Sequence, residues 1–321
     1  MTDPQPAEKK AIPIYEHWYQ QYLQVRYLKA LSDEEVKQRF ADITRNVTTL
    51  AANGAIGCLP PDSEWFLYWM AMGTQVLAEL ELRAIPLPDV VPVLRHAPLP
   101  EAPAWSKVAA QDLTPRFSGV RALFKYGQRD HLQEILDRGV VRISGASSYS
   151  DPSLSPGRLD DELKLRVELV PASALRLRIP SKPKGPPDLE VPVIRATRTV
   201  ETRTDYYVFC LSEVFDYRLF SDFPANACLM IRDRDIFIRR VLERFEKSRP
   251  GWSGIAAVVR YVDPLIEGRT DIDIHLSKHF RYWYQKEFRF VWLPDQVQSR
   301  LAPILVELGD DFASFCELVT L

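Results

Sequence analysis

Four cysteines in 321 residues, at positions 58, 210, 228 and 316, are too few and too scattered for a disulfide framework or a thiolate metal site. Such usage suits a reducing compartment. No run approaches the ~20 apolar residues that a membrane helix needs, and the opening MTDPQPAEKK has no apolar stretch able to act as a secretory signal. These absences lead us to expect a cytoplasmic protein without membrane contact, signal-independent secretion being left open. Charge of one sign is missing too. With 41 Lys and Arg against 43 Asp and Glu the formal net charge is -2, which gives no global reason to expect nucleic acid or an anionic membrane as partner, though a local basic patch stays open. Neither an internal repeat nor a long low-complexity tract is found, and a chain of this length can bury a sizeable core in one or two domains.

What is there divides at the prolines. After a flexible N-terminus, residues 1–14, the segment 15–50 has Trp18, Tyr22, Val25, Val36, Phe40 and Ile43 at helical spacing around Ser32 as a cap. A second helix is expected over 63–83, where Trp65, Phe66, Trp69, Met70, Val76, Leu77 and Leu80 are too apolar for an isolated surface helix and read as core or interface. Together they predict a helical subdomain, 15–85. Prolines at 86, 88, 92, 98, 100 and 103 mark a linker, 86–104. The remainder, 105–321, alternates many short strands (163–170, 174–179, 193–200, 206–211, 227–231, 254–262, 288–293) with few helices (235–247, 297–307, 311–319). That mixture points to an α+β domain, not to βαβ units with a parallel sheet. A second proline-rich stretch, 179–193, is expected to be an exposed loop.

The best-defined unit is 121–148, RALFKYGQRDHLQEILDRGVVRISGASS. Residues 122–126 suit a strand and Gly127 a turn. Asp130 stands as a helix cap with Gln133 three residues on, and Leu132, Ile135 and Leu136 share one face. Gly139 ends the helix, and Val140, Val141 and Ile143 start a second strand.

Four places carry candidate chemistry. At Lys125, Tyr126 and Gly127 a glycine lets a ligand approach the backbone and a tyrosine can stack or donate, although an ordinary strand-to-helix turn uses the same residues. The stretch 147–162, SSYSDPSLSPGRLDDE, reads as a surface loop and offers Tyr149. Asp161, Glu162 and Lys164 have a spacing with which some metal-dependent nucleases hold a divalent ion and polarise a phosphate. The apolar strand YVFCLS ends at Ser212, placing a hydroxyl at the sheet edge, while Cys210 within it reads as a small buried hydrophobe more than as a nucleophile paired with His275 or His279. In YWYQKEFRFVWLP, residues 282–294, alternation puts Phe288, Phe290 and Trp292 in the core and presents Glu287 and Arg289 outward on the other face.

A strand ending in Tyr126 and Gly127, then HLQEILDRGVVRIS, then a late strand KEFRFVWLPDQV, resembles the ADP-ribosyltransferase superfamily in its poly(ADP-ribose) polymerase-like arrangement. The chain is also similar to a bacterial family marked by an aromatic first strand, an SYSDP-type loop, an FCLSE-type strand and a late EFR. The likeness runs in short patches from about residue 118 onward. It implies a split antiparallel sheet with NAD, as substrate, in the cleft. Tyr126 would hold a ribose, Gly127 would meet the nicotinamide amide through its backbone, and Ser212 would match the middle motif. Glu287 would be the catalytic glutamate, stabilising the oxocarbenium-like ribose as the nicotinamide bond breaks. Arg289 would steady Glu287 or meet a pyrophosphate, and Tyr149 would line the site. ADP-ribose would pass to a protein or nucleic-acid acceptor, or to water, as in bacterial toxins, effectors or defence proteins. The superfamily's usual His or Arg is a tyrosine here, with Lys125 on the opposite face of the strand. Two other readings therefore stand beside the enzyme: a non-catalytic NAD- or protein-binding module, and a nuclease using Asp161, Glu162 and Lys164. The near-neutral net charge counts against the last.

Overall fold

The computed structural model describes residues 13–51, 54–90, 121–168, 176–179, 189–266, 271–309 and 311–320. The chain forms two units, Met1–Val47 with Leu59–Ala97, and Thr48–Cys58 with Pro98–Leu321. The expected N-terminal tail, most of the linker and the SKPKGPP loop lie outside the described residues. Among the described residues no helix is long and apolar enough to cross a membrane.

The first unit holds helices α1 (Ile14–Val25), α2 (Asp33–Val47) and α3 (Glu64–Leu82). Ser32 and Glu35 make a capping box: Ser32 Oγ accepts from the Glu35 N–H at 3.3 Å and the Glu35 carboxylate from the Ser32 N–H at 2.8 Å. Tyr22, Leu28, Val36, Ile43, Trp69, Val76 and Leu80 form its core. Glu79 is buried among them, accepting from Tyr22 Oη, from Arg26 Nε at 2.9 Å and from Arg83 Nε at 2.7 Å. Burial alone would raise its pKa; the hydrogen bonds from Arg26, Tyr22 and Arg83 outweigh that and hold it below the usual carboxylate range. The apolar stripe of α3 is only partly core, because Trp65, Leu67, Met70 and Leu77 are exposed.

In the second unit the helix expected to reach residue 50 gives way after Val47 to a hairpin of β1 (Thr48–Leu50) and β2 (Ile56–Cys58). There follow β3 (Leu123–Gly127), α4 (Arg129–Arg138) and β4 (Val140–Gly145). Next are β5 (Lys164–Glu168), β6 (Arg176–Ile179), β7 (Leu189–Pro192), β8 (Thr197–Glu201) and β9 (Tyr207–Ser212). The chain continues through α5 (Tyr217–Asp222), β10 (Ala227–Ile231), α6 (Arg234–Ser248), β11 (Trp252–Val258), β12 (Arg260–Val262) and β13 (Ser277–His279). It closes with β14 (Glu287–Pro294), β15 (Ile304–Glu307) and β16 (Cys316–Thr320). The class is α+β, as expected.

Two expected helices are strands. Residues 304–307 pair with β4 and residues 316–320 with β10; their alternating side chains fit a pleat, and spacing alone did not distinguish that from a helical face. The cap of α4 also differs. Gln128 occupies the cap position without a side-chain bond, Asp130 lies in the first turn, and Asn226 Oδ1 accepts the Arg129 N–H at 2.6 Å. Gly139 does end α4, with φ +60°.

The main sheet runs β11-β14-β9-β3-β10-β16, with β4 carrying β15 off its path. Its arrangement around β9 positions everything that follows. One edge of β9 pairs with β14 from Tyr207 to Ser212. The other edge is shared: Ser212 pairs with Phe124 of β3, whereas Val208 and Tyr207 pair with Ser144 and Gly145 of β4. On this second edge Phe209, Cys210 and Leu211, between them, have no strand partner among the described residues, so the sheet forks there. One face of the sheet packs on α6, where Phe245 stacks on Trp292 at 4.2 Å among Phe237, Phe209 and Phe290. Each such buried side chain contributes about 1.5–3 kcal/mol.

Candidate functional site

Directly paired residues of antiparallel strands share a face. Glu287 pairs with Ser212 and Ser212 with Phe124, so Glu287, Arg289, Ser212 and Tyr126 all lie on the face away from α6. Tyr149 joins them from a 3₁₀ turn, Ala146–Ser150, packed against Tyr206, Val208 and Val291. Buried Asp205 fixes that turn, accepting from the Ser147 N–H at 3.0 Å, Ser147 Oγ at 2.7 Å, the Tyr206 N–H at 2.9 Å and the Leu301 N–H at 2.8 Å.

The face has a charged centre. Arg289, wholly buried, donates through Nε to Glu287 Oε1 at 2.7 Å and through Nη1 and Nη2 to Glu162 at 2.7 and 2.9 Å. Nη1 also reaches the His275 carbonyl at 3.1 Å. Lys278 Nζ lies 2.9 Å from Glu287 Oε2 and 3.9 Å from Glu162 Oε1. Two carboxylates and two cations thus neutralise one another in a closed, buried set. Glu287 was expected to point outward; instead it is 4 % exposed, because Lys278 and the segment carrying Glu162 cover it. Its backbone N–H donates to Tyr261 Oη at 2.8 Å. The residue before it, Lys286, is held at φ +46° by closing the 3₁₀ turn Phe280–Gln285, a conformation costly for a residue with a side chain.

The two acids are driven apart. Burial would raise Glu287, but the charges of Arg289 and Lys278 and their hydrogen bonds keep it well below the carboxylate range. Burial pushes Glu162 up to about 7 against the pull of the same two cations. The set therefore holds one carboxylate kept ionised by its cations and a second that burial makes hold its proton more tightly.

No protein-family model, curated protein or solved structure matches the chain. The site alone has to argue its chemistry. Ser212 Oγ sits 2.8 Å from the Gln285 carbonyl and 3.0 Å from that of Val214. Tyr126 Oη donates to the Val214 carbonyl at 3.2 Å and accepts the Asp216 N–H at 2.7 Å, its ring packed edge-on to Phe220. Its hydroxyl is thus committed to the 214–216 loop. The Gly127 carbonyl accepts the Asn226 N–H at 3.2 Å. Arg289 steadies Glu287, as one expectation had it, and with every nitrogen engaged it is not placed to meet a pyrophosphate as well.

The nuclease trio does not assemble. Asp161 Oδ1 accepts the Leu163 N–H at 3.2 Å, Lys164 faces Glu201 at 3.9 Å, and only Glu162 turns inward. Among the described residues no group of three or more His, Cys, Asp and Glu could hold a metal ion. Burial, with the nearby negative charge of Glu287, pushes the Cys210 thiol up and away from nucleophilic use. Lys278, Tyr261 and the ion-pairing role of Glu162 escaped the sequence reading. They come from separate segments, with Glu162 lying 127 positions from Arg289, and no local spacing marks them.

Proposed function

We propose that the α+β unit is an NAD-consuming enzyme of ADP-ribosyltransferase type, cleaving the bond between nicotinamide and ribose. One observation carries the reading: Glu287, opposite Ser212 beside the fork in the main sheet, is paired through Arg289 with a second carboxylate of opposite protonation habit. Bond breaking builds positive charge on the ribose, which an ionised Glu287 would stabilise. Glu162, able to hold or release a proton near neutrality, would take the proton of the attacking acceptor or water. Lys278 covers Glu287, so turnover requires Lys278 to shift its ammonium away from Oε2 as the sugar arrives.

The closed ion set favours a second reading, a binding module in which the cluster only fixes the fold. Nicotinamide release by the purified chain, compared with Glu287→Gln, separates the two. We expect release that falls by at least about a hundredfold in the variant, the scale of losing one preorganised electrostatic group. Absence of release together with absence of NAD binding by calorimetry removes the enzyme reading.

A further inference from the structure

Most cations near this face are matched by acids. Arg289 and Lys278 share Glu162 and Glu287, Arg218 faces Asp222 at 3.0 Å, and Arg234 faces Glu213 at 2.7 Å. Two are not. Arg158 is exposed, and its guanidinium has neither an ion pair nor a hydrogen bond among the described residues. Its backbone, by contrast, is pinned on all sides. The Arg158 and Leu159 N–H groups donate to the Ser155 carbonyl at 2.8 and 2.9 Å, and Ser155 Oγ donates to the Asp222 carbonyl at 3.1 Å. The Gly157 carbonyl accepts Gln285 Nε2 at 2.6 Å, and the Leu159 carbonyl accepts Tyr282 Oη. Gly157 is packed so closely that a Cβ there would come 2.7 Å from the Asp222 carbonyl oxygen. The loop therefore fixes the backbone of Arg158 while leaving its guanidinium exposed.

Lys125 is the second. Alternation starts its side chain on the face of Leu123, but the four-carbon stem reaches sideways into the fork, where Nζ donates to the unpaired Cys210 carbonyl at 2.9 Å and lies 4.6 Å from the centre of the Phe209 ring. An ammonium has three donors, and this one uses a single carbonyl. It forms no ion pair among the described residues. Burial lowers its pKa, and the charge of Arg158 adds to that. Tyr149, whose hydroxyl has no hydrogen-bond partner among the described residues, packs on the same cluster as Cys210, and its carbonyl accepts the N–H of Asp160, two residues from Arg158, at 3.0 Å. Burial keeps its phenol protonated and therefore a donor. Two cations with no acid partner among the described residues and an unused hydroxyl, brought to the fork by these contacts, lower their energy when an anion sits among them.

We infer that Lys125, Arg158 and the Tyr149 hydroxyl form a binding site at the fork for a phosphate-type dianion, the diphosphate group of a nucleotide-like ligand. The site itself stands without the NAD reading; only the identity of the diphosphate's carrier rests on it. The probe is inorganic pyrophosphate, with the melting temperature of the full chain followed against potassium chloride of equal ionic strength, since a ligand that binds the folded state raises it with concentration. We expect a rise for the parent chain, about tenfold weaker binding in Arg158→Gln and in Lys125→Met, and parent-like binding in Arg138→Gln, a surface arginine on α4. Arg158 is exposed and its variant is expected to keep the fold, so the test survives even if Lys125→Met does not fold. No rise in the parent, or equal affinity in Arg158→Gln, overturns the site. Pyrophosphate binding that Arg158→Gln loses, without any nicotinamide release, keeps the site and discards the NAD reading. Nicotinamide release with an unchanged KM for NAD in Arg158→Gln does the reverse.

Discussion

Replacing Lys278 with Met keeps most of the side chain's length while deleting its charge, and so tests whether the buried ion set acts as one unit. Lys278 is 6 % exposed and bonds Glu287 at 2.9 Å. Without it, Arg289 alone faces Glu287, and Glu162, freed from one of the two cations that pull its pKa down, takes up a proton. Breaking one partner out of a buried pair costs about 3–5 kcal/mol, so urea unfolding at pH 7 should show a loss of that order. Adding Glu162→Gln supplies a neutral side chain there without that proton uptake, and at pH 7 the double variant should be more stable than Lys278→Met alone. The sign with pH follows from the two acids. Glu162 has its pKa raised by burial to about 7, so its contribution is complete below its unfolded value and fades as pH rises toward 7. Glu287 is depressed by Arg289 and Lys278, so its contribution holds above its unfolded value and is lost only in strong acid. Relative to the parent, Glu162→Gln should therefore gain stability as pH climbs from about 4.5 to about 7. Strictly additive losses in the double variant would refute the coupling, and a pH-independent difference between Glu162→Gln and the parent would refute the protonation assignment.

Other expectations are independent of that set. Gly157→Ala forces a Cβ within 2.7 Å of the Asp222 carbonyl oxygen, which should cost about 1–3 kcal/mol by overpacking; calorimetric unfolding reads it, and a neutral result means the loop is not pinned as described. Arg218→Met removes a buried guanidinium that donates to the Thr48 carbonyl at 2.9 Å and lies 3.7 Å from the Tyr284 ring centre. Amide exchange in Thr48–Cys58 should quicken in that variant, while exchange in α1–α3 stays as it was.

The parts of the fold that the sequence disclosed are those whose signals are local. Helices α1 to α3 and α6 follow apolar spacing, Ser32 marks a cap by its place between two apolar periodic runs, and β14 shows its two faces by strict alternation. Residues 304–307 and 316–320 misled because four or five residues with apolar positions two or three apart fit either period, and only the neighbours β4 and β10 decide. The same limit governs the site. Alternation put Glu287 and Arg289 on one face, yet whether that face meets water depends on Lys278 and Glu162, which no pattern near β14 announces. Likewise a strand's alternation fixes where Cα–Cβ of Lys125 points and not where its ammonium ends, so its arrival in the fork was invisible.

The hairpin Thr48–Cys58 sets an order of events during synthesis. Its base is closed by the Leu59 N–H donating to the Val47 carbonyl at 2.9 Å, so the helical unit can complete itself on the ribosome with the hairpin looped out. The Thr48 carbonyl then waits 170 positions for Arg218 to emerge. Until translation reaches that arginine the hairpin is an isolated pair of three-residue strands, too short to be stable alone. A nascent chain stalled before Arg218 should expose it to protease, and a chain cut between the two units by genetic truncation would strand it on the wrong half.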